Sequence, residues 1–470
     1  MTTLRFHGSA AVLLLPLALF VAVTARLFIS EAAFDLTGLA AAGVLTLFSG
    51  SLLAKSPSEY WKAAVRGASS ELTGTVVLIL IASGIFSAMM KASGVADGLV
   101  FLGGMLHLTG HAFTVFVLLA SSLMAAATGS SIGTLLAAMP IFFPAGVALG
   151  ADPAMLAGAV LSGAIFGDNL APVSDVTVIS SVTQRFRNGT PADIAGVVRT
   201  RLPYAMIALA VSLPVYAFMG ESLPVSEAAL SGDASALLML VPVLIAVAVR
   251  TRDVLMAISA GVVTGTATGL LIGRLSFATI FAAVDGRLSG FLISGISNVS
   301  PIILLCVTLF AFTGIVREAG VPDMMAKALE TGEAGRPSAL RTELFLSAAT
   351  LVVTTLFAAV TSASVALVGS LTDDIGRASN VHPYRRSHIL SGLANSLPVL
   401  MPFSAFVLIT MAAVSGLEGA AAVTPFTLMT AAFYPIALFL VFGFMVLTGT
   451  GRMMETPEPE AAEAKTATAL

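Results

Sequence analysis

Residues 166–177 read FGDNLAPVSDVT, a polar stretch inside a run of sequence that is otherwise almost entirely apolar. The residues before it, 155–165, are MLAGAVLSGAI, and VISSV follows at 178–182. Pro172 lacks a backbone donor and its ring clashes with the preceding helical turn, so it should break a helix here. A break leaves backbone groups and two half-helix ends without intrahelical partners. The stretch therefore predicts a broken helix that lines a polar site.

The composition places this break inside a membrane. The chain has 470 residues, of which 57% are hydrophobic and only 10% are charged, and its mean hydropathy is +0.98. A soluble globular protein is about 25% charged, so most of this surface must face lipid. The net charge of −3 gives no reason to expect a nucleic-acid partner. One cysteine and five histidines exclude an internal disulfide and disfavour a metal-ligand cluster.

Hydropathy predicts an all-α polytopic membrane protein with about 12 to 14 crossings, because a helix needs about 20 apolar residues to span a bilayer. Several of the predicted segments are short or interrupted by Gly and Pro, which is tolerated where neighbouring helices satisfy the freed backbone groups. The predicted spans are 10–28, 35–54, 72–90, 111–128, 134–149, 154–183, 202–220, 236–250, 253–273, 297–316, 340–360, 364–376, 388–415 and 427–449.

The distribution of charged residues predicts the orientation of the chain. Loop 184–201 carries four arginines, including Arg199 and Arg201, and should be cytoplasmic. In loop 221–235 all charged residues are acidic, so this loop should lie outside. We expect an inner-membrane protein with both termini in the cytoplasm. Asp373, Asp374 and the basic stretch 382–388 are expected to be solvated loop residues. The predicted units are an N-terminal repeat 1–220, an extracytoplasmic linker 221–235, a C-terminal repeat 236–450 and a disordered cytoplasmic tail 451–470.

Four short matches in the same order indicate an internal repeat, with offsets between 219 (282 − 63) and 233 (361 − 128). About seven crossings per half is an odd number, which forces the two halves into opposite orientations, the plan of many secondary transporters. The general similarity of Gly/Ala-rich membrane helices is the alternative explanation. The matches are AAVRG 63–67 with AAVDG 282–286, SAMMKASGVAD 87–97 with TGIVREAGVPD 313–323, TGSS 128–131 with TSAS 361–364, and NLAPV 169–173 with NSLPV 395–399.

The repeat suggests what the polar stretches do. Pro172 and Pro398 should break two equivalent helices at membrane depth, and such backbone is tolerated in a membrane only where it lines a cavity or site. A carboxylate at the bilayer centre costs about 2.5–3.5 kcal/mol on insertion scales, and such residues are usually functional. Asp168 and Asp175 could each bind either a proton or Na⁺. Alternatively, either aspartate caps a half-helix.

Two hydroxyl-rich turns, TGSSIGT at 128–134 and TSASV at 361–365, form the second predicted pair. They suggest helix breaks or the tips of re-entrant hairpins that face the centre of the membrane. Ser and Thr in membrane helices also commonly bond back to their own helix, so each hydroxyl has a structural alternative.

The combination of TGSSIGT with LAGAVLSGAIFGDNLAPVSDVT about forty residues later resembles the NhaC family of sodium/proton antiporters. The resemblance implies two inverted halves with broken helices around a midplane ion site. It points to Asp168, Asn169, Pro172, Ser174, Asp175 and Thr177, together with Thr128, Ser130, Ser131 and Thr134. The sequence departs from the family pattern at Asn169 (often Lys), Ala171 (Ser), Val176 (Thr) and Ile132 (Trp). The family also contains exchangers of organic acids and carriers of amino acids.

Two functions remain open from the sequence. The first is a Na⁺/H⁺ antiporter with Na⁺ and H⁺ alternating at Asp168 and Asp175; the second is a Na⁺- or H⁺-coupled carrier of a small carboxylate or amino acid. No arginine falls in the middle of a predicted span, which favours the first, and neither a channel filter nor an enzyme's nucleophile motif is visible. We expect a small cation as ligand, joined by a small organic solute in the second function. We also expect lipid as surroundings, no cofactor besides Na⁺ and H⁺, and a homodimer as one option. The candidate binding residues are Asp168, Asn169, Ser174, Asp175, Thr177, Thr128, Ser130, Ser131, Thr134, Thr361, Ser362, Ser364, Asn395 and Ser396.

Overall fold

The computed structural model describes residues 4–8, 10–27, 36–225, 240–251, 253–284, 286–320 and 338–455. Within them the chain is almost entirely helical, with one short antiparallel hairpin of strands β1 (Ala282–Val284) and β2 (Arg287–Ser289). The first ten helices are α1 Leu14–Ala25, α2 Leu36–Leu53, α3 Pro57–Ala68, α4 Glu71–Ser93, α5 Val95–Met105, α6 His111–Thr128, α7 Ser131–Ala148, α8 Pro153–Leu170, α9 Asp175–Val182 and α10 Ile194–Phe218. The others are α11 Leu240–Thr251, α12 Val254–Leu271, α13 Phe277–Ile280, α14 Phe291–Glu318, α15 Ala339–Leu356, α16 Thr361–Ala378, α17 Pro383–Ala394, α18 Ala405–Val414, α19 Pro425–Ala431 and α20 Phe433–Thr448.

The helices confirm a multi-pass membrane protein with broken spans. Seven of the described helices are long and apolar enough to cross a membrane, or up to nine if each of two bent helix pairs forms one span. Two shorter apolar helices lie at Ala40–Leu53 and Leu255–Leu271. Every predicted span coincides with one or two helices, but the predicted count of 12 to 14 exceeds the seven to nine spans found among the described residues.

The break after α8 lies where Pro172 predicts it. Asp152 caps the start of α8 by accepting hydrogen bonds from the amides of Ala154 and Met155, at 2.8 and 3.0 Å. The helix ends at Leu170, Ala171 is extended, and α9 starts after Ser174. Together α8 and α9 form a single apolar span of 30 residues, Pro153–Val182. The break is therefore inside the predicted membrane segment.

The helix order repeats along the chain, but in a different register from the sequence matches. The starts of α7 and α16, of α8 and α17, and of α9 and α18 are each separated by 230 positions (361 − 131, 383 − 153, 405 − 175). In this register Pro172 corresponds to Pro402, and the hydroxyl at the start of α9, Ser174, corresponds to Ser404. The match of NLAPV to NSLPV, offset 226, is thus four residues out of register. The match of AAVRG to AAVDG is wrong in structure too, because the first lies in α3 and residues 282–284 form β1.

Equivalent helix breaks make equivalent contacts in the two halves. Gly129, between α6 and α7, has φ +68° and lies against the backbone of Val173 and Ser174. In the second half Ala359, 230 positions later, has φ +62°, and the amide of Ala405 donates to the carbonyl of Ala358 at 2.8 Å. Across the halves α7 packs on α18, and α16 packs on α9. These contacts support a two-fold repeat; the opposite orientation of its halves remains a prediction.

Two charged regions that the sequence assigns to solvated loops are buried. Arg385, Arg386 and His388 are fully buried because α17 begins at Pro383 rather than after the basic stretch. Asp373 is 1% exposed and pairs with Arg386 at 2.9 Å and with Arg185 at 2.8 Å. Burial of such charges is tolerated only when they are paired, and a single sequence does not reveal partners so far apart along the chain.

The start of the predicted tail is attached to the helical body. The carbonyl of Met453 accepts from the amide of His382 at 3.0 Å, and the amide of Glu455 donates to the carbonyl of Asn380 at 2.8 Å. Arg452 also donates to the buried Glu343 at 2.8 Å. Residues 456–470, like most of the predicted linker 221–235, lie outside the described residues.

The packing of α8 on α6 gives a stability prediction. Gly163 and Gly167 face α6 so closely that a Cβ at Gly167 would overlap the carbonyl oxygen of Ser122. Small residues four apart allow such close helix contact in membranes. We expect Gly167→Ala to lower the free energy of unfolding by about 1–3 kcal/mol through overpacking, measured by thermal unfolding in detergent.

The control is Gly443→Ala in α20, where a Cβ would meet no atom within 4 Å. This substitution should be neutral or slightly stabilising, because alanine has a higher helix propensity than glycine. Equal melting temperatures for the two variants would contradict the close packing of α6 and α8.

Candidate functional site

The two helix breaks of the first half meet at Asp168. This residue lies in the last turn of α8, is 4% exposed, and accepts a hydrogen bond from the Ser131 hydroxyl at 3.0 Å. Ser131 is the first residue of α7, directly after the turn at Gly129. A Cβ at Gly129 would lie 2.7 Å from Val173 Cγ2 and 2.9 Å from the Ser174 amide, so only glycine allows this approach. The buried carboxylate is thus held between two interrupted helices.

The hydroxyls around Asp168 fall into two groups. Ser174 is fully buried, and its Oγ faces the Asp168 carboxylate but reaches no hydrogen-bond geometry with any described residue. Thr128 bonds back to the carbonyl of Met124 at 2.9 Å and approaches Thr134 at 3.5 Å. Ser130 caps α7 by accepting from the Gly133 amide at 3.1 Å. Thr128 and Ser130 therefore have structural bonds, whereas Ser174 has an oxygen available for a ligand.

The two predicted carboxylates differ in their surroundings. Asp175 is exposed at the first position of α9, and Pro172 beside it is also exposed. A negative charge at a helix N-terminus interacts favourably with the partial positive charge there. Asp175 is not the N-cap of α9, a position that Ser174 holds, but its charge lies in the first turn of that half-helix, and Asp168 is the buried carboxylate of the pair.

Arg201 is a residue of this site that the sequence analysis placed in a cytoplasmic loop. It is fully buried in α10, which begins at Ile194 because Asp193 accepts from the Gly196 amide at 2.6 Å. The Tyr384 hydroxyl and this amide hold the pKa of the Asp193 carboxyl below its ordinary value. Arg201 donates from Nη2 to Thr177 Oγ1 at 2.8 Å and from Nη1 to Ser391 Oγ. Its Nε has no hydrogen-bond partner among the described residues.

A chain of polar contacts links Arg201 to Asn169, the neighbour of Asp168. Ser391 donates to Asn169 Oδ1 at 3.3 Å, and Asn169 Nδ2 donates to the Tyr434 hydroxyl at 3.3 Å. All three side chains are fully buried. Asn169, which stands where the NhaC-like motif often has lysine, therefore connects α8 to α17 and α20.

The break between α19 and α20 fixes the position of Tyr434. Tyr216 donates to the Ala431 carbonyl at 2.7 Å and accepts from the Phe433 amide at 3.0 Å, which satisfies backbone groups that the break exposes. Ser162 accepts from the Tyr434 amide at 3.2 Å. Helices α8 and α10 of the first half thus position a tyrosine of the second half against Asn169.

The second-half candidates except Ser362 are buried, and no hydrogen bond joins them to Asp168 among the described residues. Ser364 and Ser396 bond back to the carbonyls of Val360 and Leu393, at 2.9 and 2.7 Å. Thr361 is buried at the start of α16, Ser362 is half-buried, and Pro398 lies in a short 3₁₀ turn at Leu397–Leu400. The exception to this structural pattern is Asn395.

Asn395 is fully buried, and neither its Oδ1 nor its Nδ2 has a hydrogen-bond partner among the described residues. Buried polar side chains are nearly always bonded, so each exception calls for an explanation. Asn395 follows Ser391 by one helical turn and so points to the same side of α17. Asn395 therefore lies on the face of α17 that Ser391 directs toward Arg201 and Asn169.

Along the interface between α9 and α17 the polar residues form successive levels, each one helical turn from the last. Ser387 donates to Ser180 at 2.9 Å, and one turn further on Arg201 joins Thr177 to Ser391. One further turn along each helix leads to Ser174 on α9 and Asn395 on α17. Both are fully buried and both have unpartnered polar atoms. We refer to these two residues and Asp168 as the third level; Ser174 contributes an unpartnered polar group from the first half and Asn395 one from the second.

Sequence reasoning missed Arg201, Ser391 and Tyr434. For Arg201 a signal was present: Asp193 begins a helix by N-capping, and Arg201 then falls four residues from Val197 and from Ala205 on the buried side of α10. No comparable signal existed for Tyr434, since its contact with Asn169 spans 265 positions.

The fold and the site define a class: multi-pass helical membrane proteins in which broken helices surround a buried carboxylate. Residues 3–221, the N-terminal half of the chain, match the model of the Na⁺/H⁺ antiporter family. This match confirms, for the half that it covers, the resemblance to sodium/proton antiporters that the motifs indicate.

Two curated proteins are similar to the chain. The Malate-2H⁺/Na⁺-lactate antiporter of Bacillus subtilis (strain 168) is 31% identical over 176 residues, 37% of this chain and 36% of that protein. The Na⁺/H⁺ antiporter NhaC of Alkalihalophilus pseudofirmus is 28% identical over 279 residues, 54% of this chain and 58% of that protein. The chain thus spans between about a third and about three fifths of the curated relatives it matches.

Two solved structures have partly similar folds. They are MtrF of Neisseria gonorrhoeae, described as one of a class of antimetabolite efflux pumps, and the YdaH transporter of Alcanivorax borkumensis. The first has a TM-score of 0.39 at 11% identity and covers 82% of this chain and 84% of MtrF. The second has a TM-score of 0.38 at 13% identity and covers 83% of this chain and 88% of YdaH.

The two buried asparagines of the site give a matched prediction. Asn395→Leu should raise the melting temperature in Na⁺-free buffer, because an unsatisfied buried polar group costs about 1–3 kcal/mol. Asn169→Leu should lower it by a similar amount, because Ser391 and Tyr434 would lose a partner. Thermal unfolding in detergent, with choline replacing Na⁺, measures both.

The same variants test whether Asn395 contributes to a ligand site. A bound ion stabilises the wild-type fold by about 2.7 kcal/mol at a hundredfold excess over its dissociation constant, and Asn395→Leu should reduce this Na⁺-dependent increase. A destabilised Asn395→Leu variant that keeps the full Na⁺ response would contradict the assignment.

Proposed function

We propose that this protein is a secondary active transporter that exchanges Na⁺ for H⁺ by alternating access, in the cell membrane and with both termini cytoplasmic. The observation that carries the proposal is the buried Asp168 carboxylate, held by Ser131 between two broken helices. Such a carboxylate is costly in a membrane and is functional by default. The match of residues 3–221 to Na⁺/H⁺ antiporters supports the same assignment.

The proposed cation site is the third level together with Ser131. Carboxylate, amide and hydroxyl oxygens of Asp168, Asn395, Ser174 and Ser131 are hard ligands of the kind that small hard cations prefer. A proton on Asp168 removes the negative charge that attracts Na⁺, so the two ions compete for one group. Competition at a single carboxylate is sufficient for exchange. The proposal needs no cofactor and no enzymatic step.

The position of this site between the repeats supports alternating access. Asp168, Ser131 and Ser174 belong to the first half, and Asn395 to the second. Helices α7 and α9 of the first half pack on α18 and α16 of the second. A rocking movement of one half against the other would change which side of the membrane reaches the site. A homodimer remains part of the proposal as an assembly state.

Both curated relatives support Na⁺ and H⁺ as the ions, since each is named for an antiport that involves both. One is named for malate and lactate as well. Because the chain covers only part of each, the ions and any solute are proposed here from the site rather than transferred.

A second candidate is the coupled exchange of a small carboxylate. The observation that favours it is Arg201, a buried cation whose hydrogen bonds go to neutral hydroxyls and whose Nε has no partner among the described residues. An anionic substrate usually needs such a residue. The lack of an arginine in the middle of the predicted spans speaks against this function, but the burial of Arg201 within α10 removes that argument.

The central prediction concerns Asp168. Asp168→Asn should abolish Na⁺-driven proton movement in proteoliposomes, because an amide can neither release a proton nor supply a negative charge to Na⁺. Proton movement is followed with a pH-sensitive dye in the vesicle lumen after addition of external Na⁺.

Asp175→Asn is the matched control, because Asp175 is exposed at the start of α9. It should retain more than half of the wild-type rate. If Asp168→Asn kept wild-type antiport, Asp168 would not be the carrier. If instead Na⁺ accelerated uptake of a labelled carboxylate without net proton movement, the second candidate would replace the first.

A further inference from the structure

Arg201 differs from the other fully buried arginines. Arg385 pairs with Glu343 at 2.9 Å, and Arg386 pairs with Asp373 at 2.9 Å. Within the described residues Arg201 forms no ion pair, although it is just as buried. Leaving a buried charge without an opposite charge is strongly destabilising. A nearby negative group must therefore balance the guanidinium.

Asp168 is the carboxylate that the geometry offers. Arg201 bonds to Thr177, which lies one turn from Ser174, and Ser174 faces Asp168. On the other side Arg201 bonds to Ser391, which bonds to Asn169, the neighbour of Asp168 in the chain. Both charged groups are buried within the bundle, where water screens their interaction little.

We propose that Arg201 is the internal counter-charge of Asp168, which balances the carboxylate when neither Na⁺ nor H⁺ is bound and opposes cation binding when one arrives. The proposal rests on the cation exchange at Asp168 proposed above. Without Arg201 the empty carrier would carry an unbalanced negative charge in its interior. The charge of Arg201 therefore weakens the affinity for the cation and speeds its release, so that the competing ion can take its place before the site changes sides.

This role predicts opposite effects on affinity and on turnover. Arg201→Gln should lower the Na⁺ concentration for half-maximal exchange by roughly tenfold, because a favourable change of about 1.4 kcal/mol is tenfold in affinity. The maximal rate should fall, because the cation leaves more slowly. A residue with a merely structural role would lower the amount of active protein and leave the half-maximal concentration unchanged.

The experiment measures Na⁺-driven proton movement and Na⁺-dependent thermal stabilisation of the full chain at alkaline pH, where protons compete least with Na⁺. Arg201→Lys keeps the charge and should keep the wild-type half-maximal concentration within about threefold. Arg199→Gln, an exposed arginine two residues away, is the control and should behave as wild type. If Arg201→Gln does not fold, Arg201→Met removes the same charge with a side chain suited to an apolar interior.

Each outcome decides the proposal. An unchanged or raised half-maximal Na⁺ concentration in both neutral variants overturns it, as does a lysine variant that behaves like the glutamine variant. Unchanged Na⁺ dependence with loss of labelled-carboxylate uptake would assign Arg201 to an anion instead. Failure of the proposed function is separate, because it would appear as wild-type antiport in Asp168→Asn.

Discussion

The rest of the structure depends on the burial of one carboxylate where two helices are interrupted. Asp168 can lie 4% exposed only because Ser131 donates to it and because Gly129 lets the turn before α7 approach the backbone of Val173 and Ser174. Each interruption removes intrahelical bonds, and in a membrane that loss is tolerated only if other groups replace them. The polar groups that the breaks bring together therefore offset the free energy lost with the intrahelical hydrogen bonds.

The elements of this arrangement were predictable where the signal is local. Pro172 and the polar residues around it predict the break after α8, and the hydropathy of the segments predicts nearly every helix. The repeat was detectable in the sequence, but its register was not. NSLPV at 395–399 and MPFS at 401–404 both contain a proline in an apolar context, so either could be the counterpart of the stretch around Pro172. The deciding feature is the serine two residues after the proline, since Ser174 and Ser404 both occupy the position before a helix.

Charges were the least predictable part, for a physical reason. An arginine near a helix end is favourable in a cytoplasmic loop, and it is equally stable inside a bundle if distant residues supply acceptors. Arg201 and Arg386 belong to the second case, with partners up to 202 positions away. For Arg201 only its spacing from Val197 and Ala205 distinguishes burial in the bundle from a place in a cytoplasmic loop. This spacing becomes informative once Asp193 is recognised as the N-cap of α10.

The two halves share a scaffold but differ in chemistry, and that difference suits a carrier. In the register of 230 positions, the equivalents of Asp168 and Asp175 are Pro398 and Ala405, so the second half repeats the breaks without the carboxylates. A carrier that used two equivalent carboxylates would have to bring both to each side of the membrane. In the proposed mechanism the pseudo-symmetric packing of α7 on α18 and of α16 on α9 would exchange, while the single carboxylate of Asp168 would serve both sides of the membrane. In the proposed cation site Asn395 comes from the half that lacks the carboxylate, so an ion held by both Asn395 and Asp168 would have a direct means of changing the contact between the halves.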